Sequence, residues 1–445
     1  MGIEFTSIVD APIDEVFGWF ARPGALRRLL PPWQPMRAIT EADSLAQGRA
    51  VLGLPGGLRW QARHVAADYS PPYRFVDERV VAGPASVPTA LAGPWRHVHE
   101  FREMPGERTE VIDRVHTAVP ASLLRSTFEF RHRQTADDLA AHRTARAGGL
   151  ESSVIAVSGA SGMVGSALCA LLTTGGHRVI RLVRHSADRD DERTWDPASP
   201  AEDLFDGVDA VVHLAGAPIA GRFTDDHCAA IRDSRVEPTR RLAELAASTP
   251  DVRVFISASA IGFYGYDRSH ETLTESSSKG RGFLAGVVDD WERAAQVSGV
   301  RTVQVRTGIV QSPLGGTLRL QRPIYTAGLG GRLGSGRQWL SWIDLDDLLD
   351  VYLRALFDDR LDGPVNAVAP EPATAADYAT TLGRVLHRPA VLPVPEFGPA
   401  LLLGRQGARE LATADQRVDC RVLSDLGHTF RHPTLNASLR HQLGR

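Results

Sequence analysis

Three glycines with the spacing of a dinucleotide-binding turn stand about a third of the way along the chain. Gly159, Gly162 and Gly165 follow a short apolar strand, Val154–Ser158, and precede a helical pattern that ends at Gly175–Gly176. In such a turn the first glycine permits the tight bend, the second lets the backbone approach a pyrophosphate, and the third allows close helix–strand packing. The helix N-terminus then offers free N–H groups to phosphates. The pattern therefore predicts the first βαβ unit of a nucleotide-binding sheet.

The residue after the next strand indicates which dinucleotide is bound. In NAD sites an acidic residue at this strand end binds the ribose hydroxyls, whereas in NADP sites a basic residue meets the 2′-phosphate. Here the strand His177–Val183 is followed by Arg184, and no acid occurs before Asp188. We predict NADP. The alternative is that Arg184 is a surface residue and Asp188 turns inward.

Further apolar strands end in small or polar residues. Ala210–Leu214 runs into Ala215-Gly216, and Val252–Ile256 runs into Ser257-Ala-Ser259. The carboxyl ends of parallel strands in a doubly wound sheet form one crevice. We therefore expect Ser259 to face the nicotinamide there and to orient a substrate. The alternative is a small residue that only permits approach of the cofactor.

Taken together, these motifs resemble the extended short-chain dehydrogenases/reductases, and within them the "epimerase family" subgroup of NAD(P)-dependent epimerases/dehydratases. The resemblance covers residues 153–445, including a short C-terminal lobe after Pro389. Besides the glycine turn, the ordered motifs include His213–Ile219, Ser234-Arg235, Ser257–Gly265, Trp291-Glu292, Arg306–Gly308, Gly328–Gly336, Gln338, Trp342-Ile343 and Gly363–Asn366. The resemblance implies NADP bound by Gly159, Ser161, Gly162, Met163, Val164, Arg184, Leu214, Ala215, Arg235 and Val310.

One departure from this family concerns catalysis. Short-chain dehydrogenases pass a proton through a Tyr whose pKa is lowered by a Lys four residues later on the same helix. Here Phe283 and Val287 occupy those positions, and neither can carry a proton. Three explanations stay open. Ser259 orients the substrate while Tyr264 takes the proton role; water or a substrate group supplies the proton for hydride transfer; or the domain binds NADP without turnover, as a sensor or scaffold.

The region before the glycine turn reads as a separate α+β domain. A strand, a helix, a run of strands and a closing helix follow one another over residues 1–143. This order, with Asp10–Phe17 and Phe128–Leu139, resembles the START/polyketide-cyclase-like (SRPBCC) helix-grip superfamily. The resemblance implies a hydrophobic ligand pocket. His97 and His99 share one strand face, but without a visible third ligand we expect them to pack in the core and predict no metal site.

Composition excludes several classes of protein. The 445 residues carry a net charge of −3 with both signs interspersed, so we expect no nucleic-acid partner. Three distant cysteines, Cys169, Cys228 and Cys420, do not form a disulfide framework, which favours a reducing cytoplasmic location. The N-terminal residues lack a signal-peptide pattern, and no run of about 18 apolar residues predicts a membrane span.

The predicted organisation is therefore an α/β Rossmann-like doubly wound parallel sheet with a small C-terminal lobe, preceded by an α+β helix-grip domain. Its limits are 1–143 for the ligand-binding domain, 144–152 for a linker, 153–388 for the NADP-binding domain and 389–445 for the lobe. We expect an NADP-dependent oxidoreductase or epimerase-like enzyme acting on a small, apolar molecule. The alternatives are a non-catalytic NADP-binding sensor or scaffold, and a hydrophobic-ligand carrier acting through the first domain. The oligomeric state does not follow from the sequence.

Overall fold

The computed structural model of this protein describes residues 2–445. Backbone contacts divide the chain into two compact units. The first runs to Ala147 and includes Cys169–His177 and Gly444–Arg445; the second comprises Gly148–Leu168 and Arg178–Leu443. Across residues 2–445, no helix combines the length and apolar character that a membrane crossing requires. The predicted domain limits stay predictions.

The first unit is built on a seven-stranded antiparallel sheet in the order β1-β7-β6-β5-β4-β3-β2. Its strands are β1 Gly2–Val9, β2 Arg37–Thr40, β3 Arg49–Gly53, β4 Arg59–His64, β5 Arg74–Arg79, β6 Trp95–Met104 and β7 Arg108–Thr117. The sequence predicts a run of strands in this region, and the structure of residues 2–445 has these seven. β2 has only four residues, three of them exposed, so its sequence gives little periodic signal.

Three helices accompany this sheet: α1 Ile13–Ala21, α2 Ala25–Arg28 and α3 Ala121–Ala147. The buried Val16 and Trp19 of α1 share one core with Phe101 of β6 and Leu139 of α3. α3 is longer than the sequence indicates for the closing helix. Its sequence is mostly polar, so no continuous apolar pattern marks its full length. Its last four residues lie within the stretch 144–152 that the sequence predicts as a linker.

The second unit contains a seven-stranded sheet in which every neighbouring pair is parallel. The order β10-β9-β8-β11-β12-β14-β18 reverses direction at β8, as in a doubly wound Rossmann-like sheet. The seven strands are β8 Val154–Ser158, β9 Arg178–Val183, β10 Glu192–Thr194, β11 Ala210–His213, β12 Val254–Ala260, β14 Arg301–Thr307 and β18 Gly363–Ala367. The prediction of a parallel α/β sheet is thus confirmed.

Shorter strand pairs and ten helices complete the second unit. The minor strands are β13 Asp267–Leu273, β15 Ile309–Gln311, β16 Trp339–Leu340, β17 Trp342–Asp344, β19 Ala373–Thr374 and β20 Asp415–Val418. The helices are α4 Met163–Thr174, α5 Asp225–Asp233, α6 Val236–Ser248, α7 Phe283–Ala295, α8 Gly316–Thr326, α9 Leu345–Phe357, α10 Ala375–Leu386, α11 Gly398–Gly407, α12 Arg421–Asp425 and α13 Leu435–Leu443. A π-helical turn, Ala408–Ala412, follows α11.

The central strands are short and apolar because both faces of the sheet are covered. All four residues of β11 are buried, and so are the first four of β12. Val211 and Phe255 from these strands pack with Leu242 of α6 in one continuous core. Burial of this kind leaves the polar residues of each strand at its carboxyl end, where the candidate site lies.

Candidate functional site

The glycine turn between β8 and α4 has the close approaches that its spacing predicts. Gly159 adopts a left-handed φ of +67°, and a Cβ atom there would lie 2.8 Å from the carbonyl carbon of Leu214. A Cβ atom on Gly165 would lie 2.2 Å from the Gly159 carbonyl oxygen. Neither distance is tolerable, so both positions require glycine for reasons internal to the fold.

Gly162 differs from the other two glycines. A Cβ atom there would meet only the Gly159 carbonyl oxygen, at 3.3 Å, and its φ is not in the left-handed region. Gly162 and Ser161 are exposed, while Met163 and Val164, which open α4, are half-buried. A side chain at 162 would thus require only a small shift of this carbonyl group, far less than at 159 or 165. The open space fits a ligand whose phosphate approaches the backbone at the start of α4.

The end of β11 is fixed against this turn by a hydroxyl group. Ser158 Oγ lies 2.6 Å from His213 Nδ1 and accepts hydrogen bonds from the backbone N–H groups of Leu214 and Ala215. Burial, reinforced by the nearby Arg235 guanidinium, lowers the pKa of His213 to about 3, so its ring is neutral. The structure thus brings Leu214 and Ala215 to Gly159, as the family resemblance implies.

Arg235 is a buried cation at the same edge. Its guanidinium donates to the carbonyl oxygens of Ala217 and Ile231 and lies 5.2 Å from the Trp291 ring centroid. It is 8% exposed and forms no ion pair with a carboxylate of residues 2–445. Burial lowers its pKa to about 10. A buried guanidinium without a counter-ion favours an anionic ligand nearby.

Arg184 lies at the carboxyl end of β9 and is exposed. No hydrogen bond or ion pair joins its side chain to another described residue, whereas the neighbouring Arg181 is paired with Asp191. Asp188, the acid of the alternative interpretation, is also exposed, and its backbone N–H donates to Glu192. Arg184 is therefore free to contact a phosphate.

Val310 lies on β15, a short strand outside the seven-stranded sheet. β15 pairs with β17 and is followed by Gly315, where a Cβ atom would lie 2.7 Å from Met163 Sδ. Val310 is half-buried. The chain after β15 thus reaches the first residue of α4, which places Met163 and Val310 in one neighbourhood.

Ser259 belongs to a buried ionic network at the ends of β12 and β14. Its Oγ donates to Glu292 Oε1 at 2.5 Å, and Glu292 accepts two further bonds, at 2.8 and 2.7 Å, from the Arg306 guanidinium. Burial alone would lower the pKa of Arg306, but its hydrogen bonds to Glu292 raise it. Glu292 is nine residues along α7 from Phe283, a helix rise of about 13 Å. Ser259 is therefore tied to the last turn of α7 and not to its first turn.

Tyr264 is fully buried and its hydroxyl is occupied on several sides. Its oxygen lies 2.7 Å from Asn366 Oδ1 and 3.0 Å from the Thr274 carbonyl oxygen, the two acceptors for its single proton, and it accepts from Arg306 Nη1 at 2.9 Å. Burial raises its pKa to about 12, against the opposing effect of the Arg306 charge. These contacts favour a structural role, and the predicted proton role of Tyr264 stays a prediction.

Phe283 and Val287 lie where the family carries its Tyr and Lys. Both belong to an apolar cluster, in which the Phe283 ring meets Phe223 at a centroid distance of 6.0 Å. Glu410, from the π-helical turn after α11, accepts from the backbone N–H groups of Phe283 and Leu284. It thereby caps the first turn of α7. Sequence reasoning missed Glu410, because 127 residues separate it from Phe283 and no local pattern marks it.

Comparison with known proteins supports the interpretation of the second unit as a nucleotide-binding unit. Residues 155–282 match the NAD-dependent epimerase/dehydratase family, and residues 394–442 match a domain of unknown function, DUF1731. An epimerase family protein of Mycobacterium bovis is 40% identical over 296 residues, which are 65% of this chain and 97% of that protein.

Two solved structures are also similar. The nucleoside-diphosphate sugar epimerase from Corynebacterium glutamicum has 41% identity and a TM-score of 0.86, with 99% of this chain and 90% of that chain covered. The human epimerase family protein SDR39U1, solved with NADPH, has 30% identity and a TM-score of 0.60, with 65% of this chain and 99% of that chain covered.

The glycine turn generates a paired prediction. Gly165→Ala forces a methyl group into the Gly159 carbonyl oxygen and should destabilise the protein by about 1–3 kcal/mol or more. Gly162→Ala should leave stability within about 0.5 kcal/mol, because its Cβ meets no such clash. It should instead weaken NADPH binding at least about tenfold by blocking the phosphate approach. Urea denaturation and NADPH titration measure the two effects, and equal NADPH affinity in Gly162→Ala and wild type would refute the assignment.

A second prediction concerns Tyr264. Tyr264→Phe removes a buried hydroxyl from Asn366 and Arg306 and should cost about 1–3 kcal/mol of stability. NADPH affinity should change less than about twofold, since a structural hydroxyl contributes to folding and not to cofactor contacts. Tyr73→Phe, at a half-exposed tyrosine, is the matched control. Unchanged stability in Tyr264→Phe would contradict the structural role.

Proposed function

We propose that this chain, which belongs to the NAD-dependent epimerase/dehydratase family, binds NADP(H) in its second unit and uses it on a small-molecule substrate. The observation that carries the proposal is the exposed side of Gly162 at the start of α4, where a Cβ atom would meet one backbone oxygen only. Two arginines without carboxylate partners, Arg184 and Arg235, add positive charge for a phosphorylated dinucleotide. When bound, this cofactor accepts or donates a hydride.

The preference for NADP over NAD rests on Arg184. An exposed guanidinium at the end of β9 suits a 2′-phosphate, which the ribose of NAD lacks. The human relative solved with NADPH supports the same choice. In this proposal the Gly159–Val164 turn holds the pyrophosphate, while Leu214, Ala215 and Val310 contribute backbone and apolar contacts.

The proposed reaction class is oxidoreduction or epimerisation, without the usual Tyr–Lys pair. Phe283 and Val287 carry no proton, and the Tyr264 hydroxyl is committed to Asn366 and Arg306. We therefore assign the proton to water or to a group of the substrate. Ser259 contributes by holding Glu292, and through it Arg306, at the strand ends. The substrate is a small molecule whose identity this network does not select.

A second candidate is an NADP(H)-binding protein without turnover. It is favoured by the apolar cluster around Phe283 and Val287, which leaves no ionisable side chain at the two positions that normally act on substrate. A screen of carbonyl substrates with NADPH distinguishes the two. Loss of NADPH absorbance with any substrate supports the enzyme, and tight NADPH binding without oxidation across the screen supports the sensor or scaffold.

For the first unit we propose the helix-grip architecture and a ligand-binding role. The sheet and α3 agree with that architecture in element order, but the space between them around Ser7, Phe20 and His132 holds no room for a water molecule. A larger cavity of about 630 Å³ opens beside Trp95 and Arg96. Its lining is Glu78, Arg79, Pro94, Trp95, Arg96, His116, Thr117 and Ala118. Such a lining suits an amphipathic ligand with an anionic end better than a purely apolar one.

The cofactor preference has a direct test. Arg184→Glu should weaken NADPH binding at least about tenfold, because it replaces a phosphate-binding cation by an anion, and should leave NADH binding within about twofold. Arg178→Glu is the matched control, since Arg178 is exposed at the opposite end of the same strand. Isothermal titration calorimetry of the wild type and both variants with both nucleotides measures the six affinities. Tighter binding of NADH than of NADPH by the wild type would overturn the preference.

The ligand proposal for the first unit is tested by native mass spectrometry of the full chain. We expect a co-purified small molecule in the wild type and its loss in Trp95→Ala, which removes an aromatic wall of the cavity. Leu123→Ala, an exposed position on α3, should retain the ligand. If the wild type and both variants retain the ligand equally, the ligand does not bind in this cavity.

A further inference from the structure

Five polar side chains of the first unit meet in its interior. His97 and His99 lie on β6, Asp77 on β5, Asp113 on β7 and His132 on α3. The antiparallel register sets Asp77 directly opposite His97 and Asp113 directly opposite His99. His97, His99 and Asp113 are 4%, 2% and 2% exposed. Three imidazoles and the Asp113 carboxylate are thus buried together, and Asp77 is half-buried beside them.

The two histidine rings of β6 are flanked by a carboxylate on each edge. Their centroids are 3.8 Å apart. On one edge, Asp113 Oδ1 lies 3.1 Å from His97 Nε2 and 2.7 Å from His99 Nδ1. On the other edge, Asp77 Oδ2 lies 3.6 Å from His97 Nδ1 and 3.3 Å from His99 Nε2. Every nitrogen of both rings therefore faces a carboxylate oxygen.

Protons on the two rings cannot easily turn all four of these nitrogen–carboxylate contacts into hydrogen bonds. A neutral imidazole has a single N–H group, so each ring can donate to only one of the two carboxylates. Protonating both rings would place two buried cations 3.8 Å apart. Consistent with this conflict, His97 Nε2, His99 Nδ1 and Asp113 Oδ1 are buried and make no hydrogen bond with acceptable geometry.

We propose that His97 Nε2, His99 Nδ1 and Asp113 Oδ1 bind one divalent transition-metal ion of the zinc type. Two imidazole nitrogens and one carboxylate oxygen form a donor set that such ions accept. The ion takes the three orphaned atoms, and both remaining N–H groups then point towards Asp77. Two positive charges balance the two carboxylates, Asp77 and Asp113.

The surrounding groups hold the ligands as metal sites require. A metal-bound histidine donates its other ring N–H to a carboxylate, and His99 Nε2 has that contact with Asp77. The second oxygen of Asp113 lies 3.1 Å from His132 Nε2, and His132 Nδ1 lies 2.6 Å from Ser7 Oγ. This chain of hydrogen bonds fixes the carboxylate orientation from the side opposite the ion.

A second group of possible ligands, in the other unit, does not compete with this assignment. Asp344, Asp346, His432 and His441 also lie close together. The Asp344 carboxylate, however, accepts hydrogen bonds from Ser438, Gln442 and the Asp346 backbone, and thereby caps α9. These contacts account for the position of Asp344 without a metal ion. The Asp344 cluster therefore serves as an internal control in the metal analysis.

The test uses the untagged full-length chain expressed in zinc-supplemented medium and then desalted. Elemental analysis should give one zinc per chain. His97→Gln, His99→Gln and Asp113→Asn should each reduce zinc content at least about tenfold, while Asp77→Asn should have a smaller effect because it only supports a ligand. His116→Ala, an exposed histidine on β7, and His441→Gln should retain the metal.

A stability measurement separates metal loss from misfolding. Chelator treatment should lower the Tm of the wild type and of His116→Ala, because ligand binding stabilises the folded state. It should leave the Tm of His99→Gln unchanged, while that variant keeps its near-ultraviolet circular dichroism. Wild-type protein without stoichiometric zinc, or zinc retained in both His97→Gln and His99→Gln, would overturn the proposal. A greater loss in Asp77→Asn than in Asp113→Asn would overturn the assignment to the Asp113 edge.

Discussion

The buried guanidinium of Arg306 holds together the carboxyl ends of the central strands in the second unit. It pairs with both oxygens of Glu292, donates to the Tyr264 hydroxyl and lies 3.7 Å from the Phe263 ring centroid. Ser259 joins the same carboxylate. Removing either partner of such a buried ion pair destabilises the protein by about 3–5 kcal/mol, because the other charge then stays buried and unpaired. Several polar residues at the crevice therefore stabilise the folded structure, whatever reaction the site performs.

Because these polar groups are held in the Arg306 network, the structure separates cofactor binding from proton transfer. The glycine turn, Arg184 and Arg235 leave space and positive charge for a dinucleotide, whereas the first turn of α7 is apolar and capped by Glu410. A catalytic tyrosine needs a polar neighbour that lowers its pKa. Burial raises the pKa of Tyr264 to about 12 instead. Chemistry on a substrate then depends on groups that the substrate or water brings.

Much of the fold could be predicted because its signals are local. The glycine spacing and the apolar strands of the second unit follow from short stretches of sequence. The length of α3 could not be predicted in the same way, because a polar helix of 27 residues has no continuous apolar stripe. The spacing of His97 and His99 places both on one strand face but shows no third ligand. Asp113 lies beside them only because β6 and β7 pair in one register.

The sequence by itself determined the parallel sheet of the second unit, the glycine turn before α4 and the loss of the Tyr–Lys pair at Phe283 and Val287. Each of these is a property of neighbouring residues, so spacing and side-chain type are sufficient. Only the tertiary structure decided that the Tyr264 hydroxyl is occupied by Asn366 and Arg306, that Glu410 caps α7, and that two carboxylates flank His97 and His99. These contacts join residues distant in the chain, and strand register and burial fix them, which no local spacing encodes.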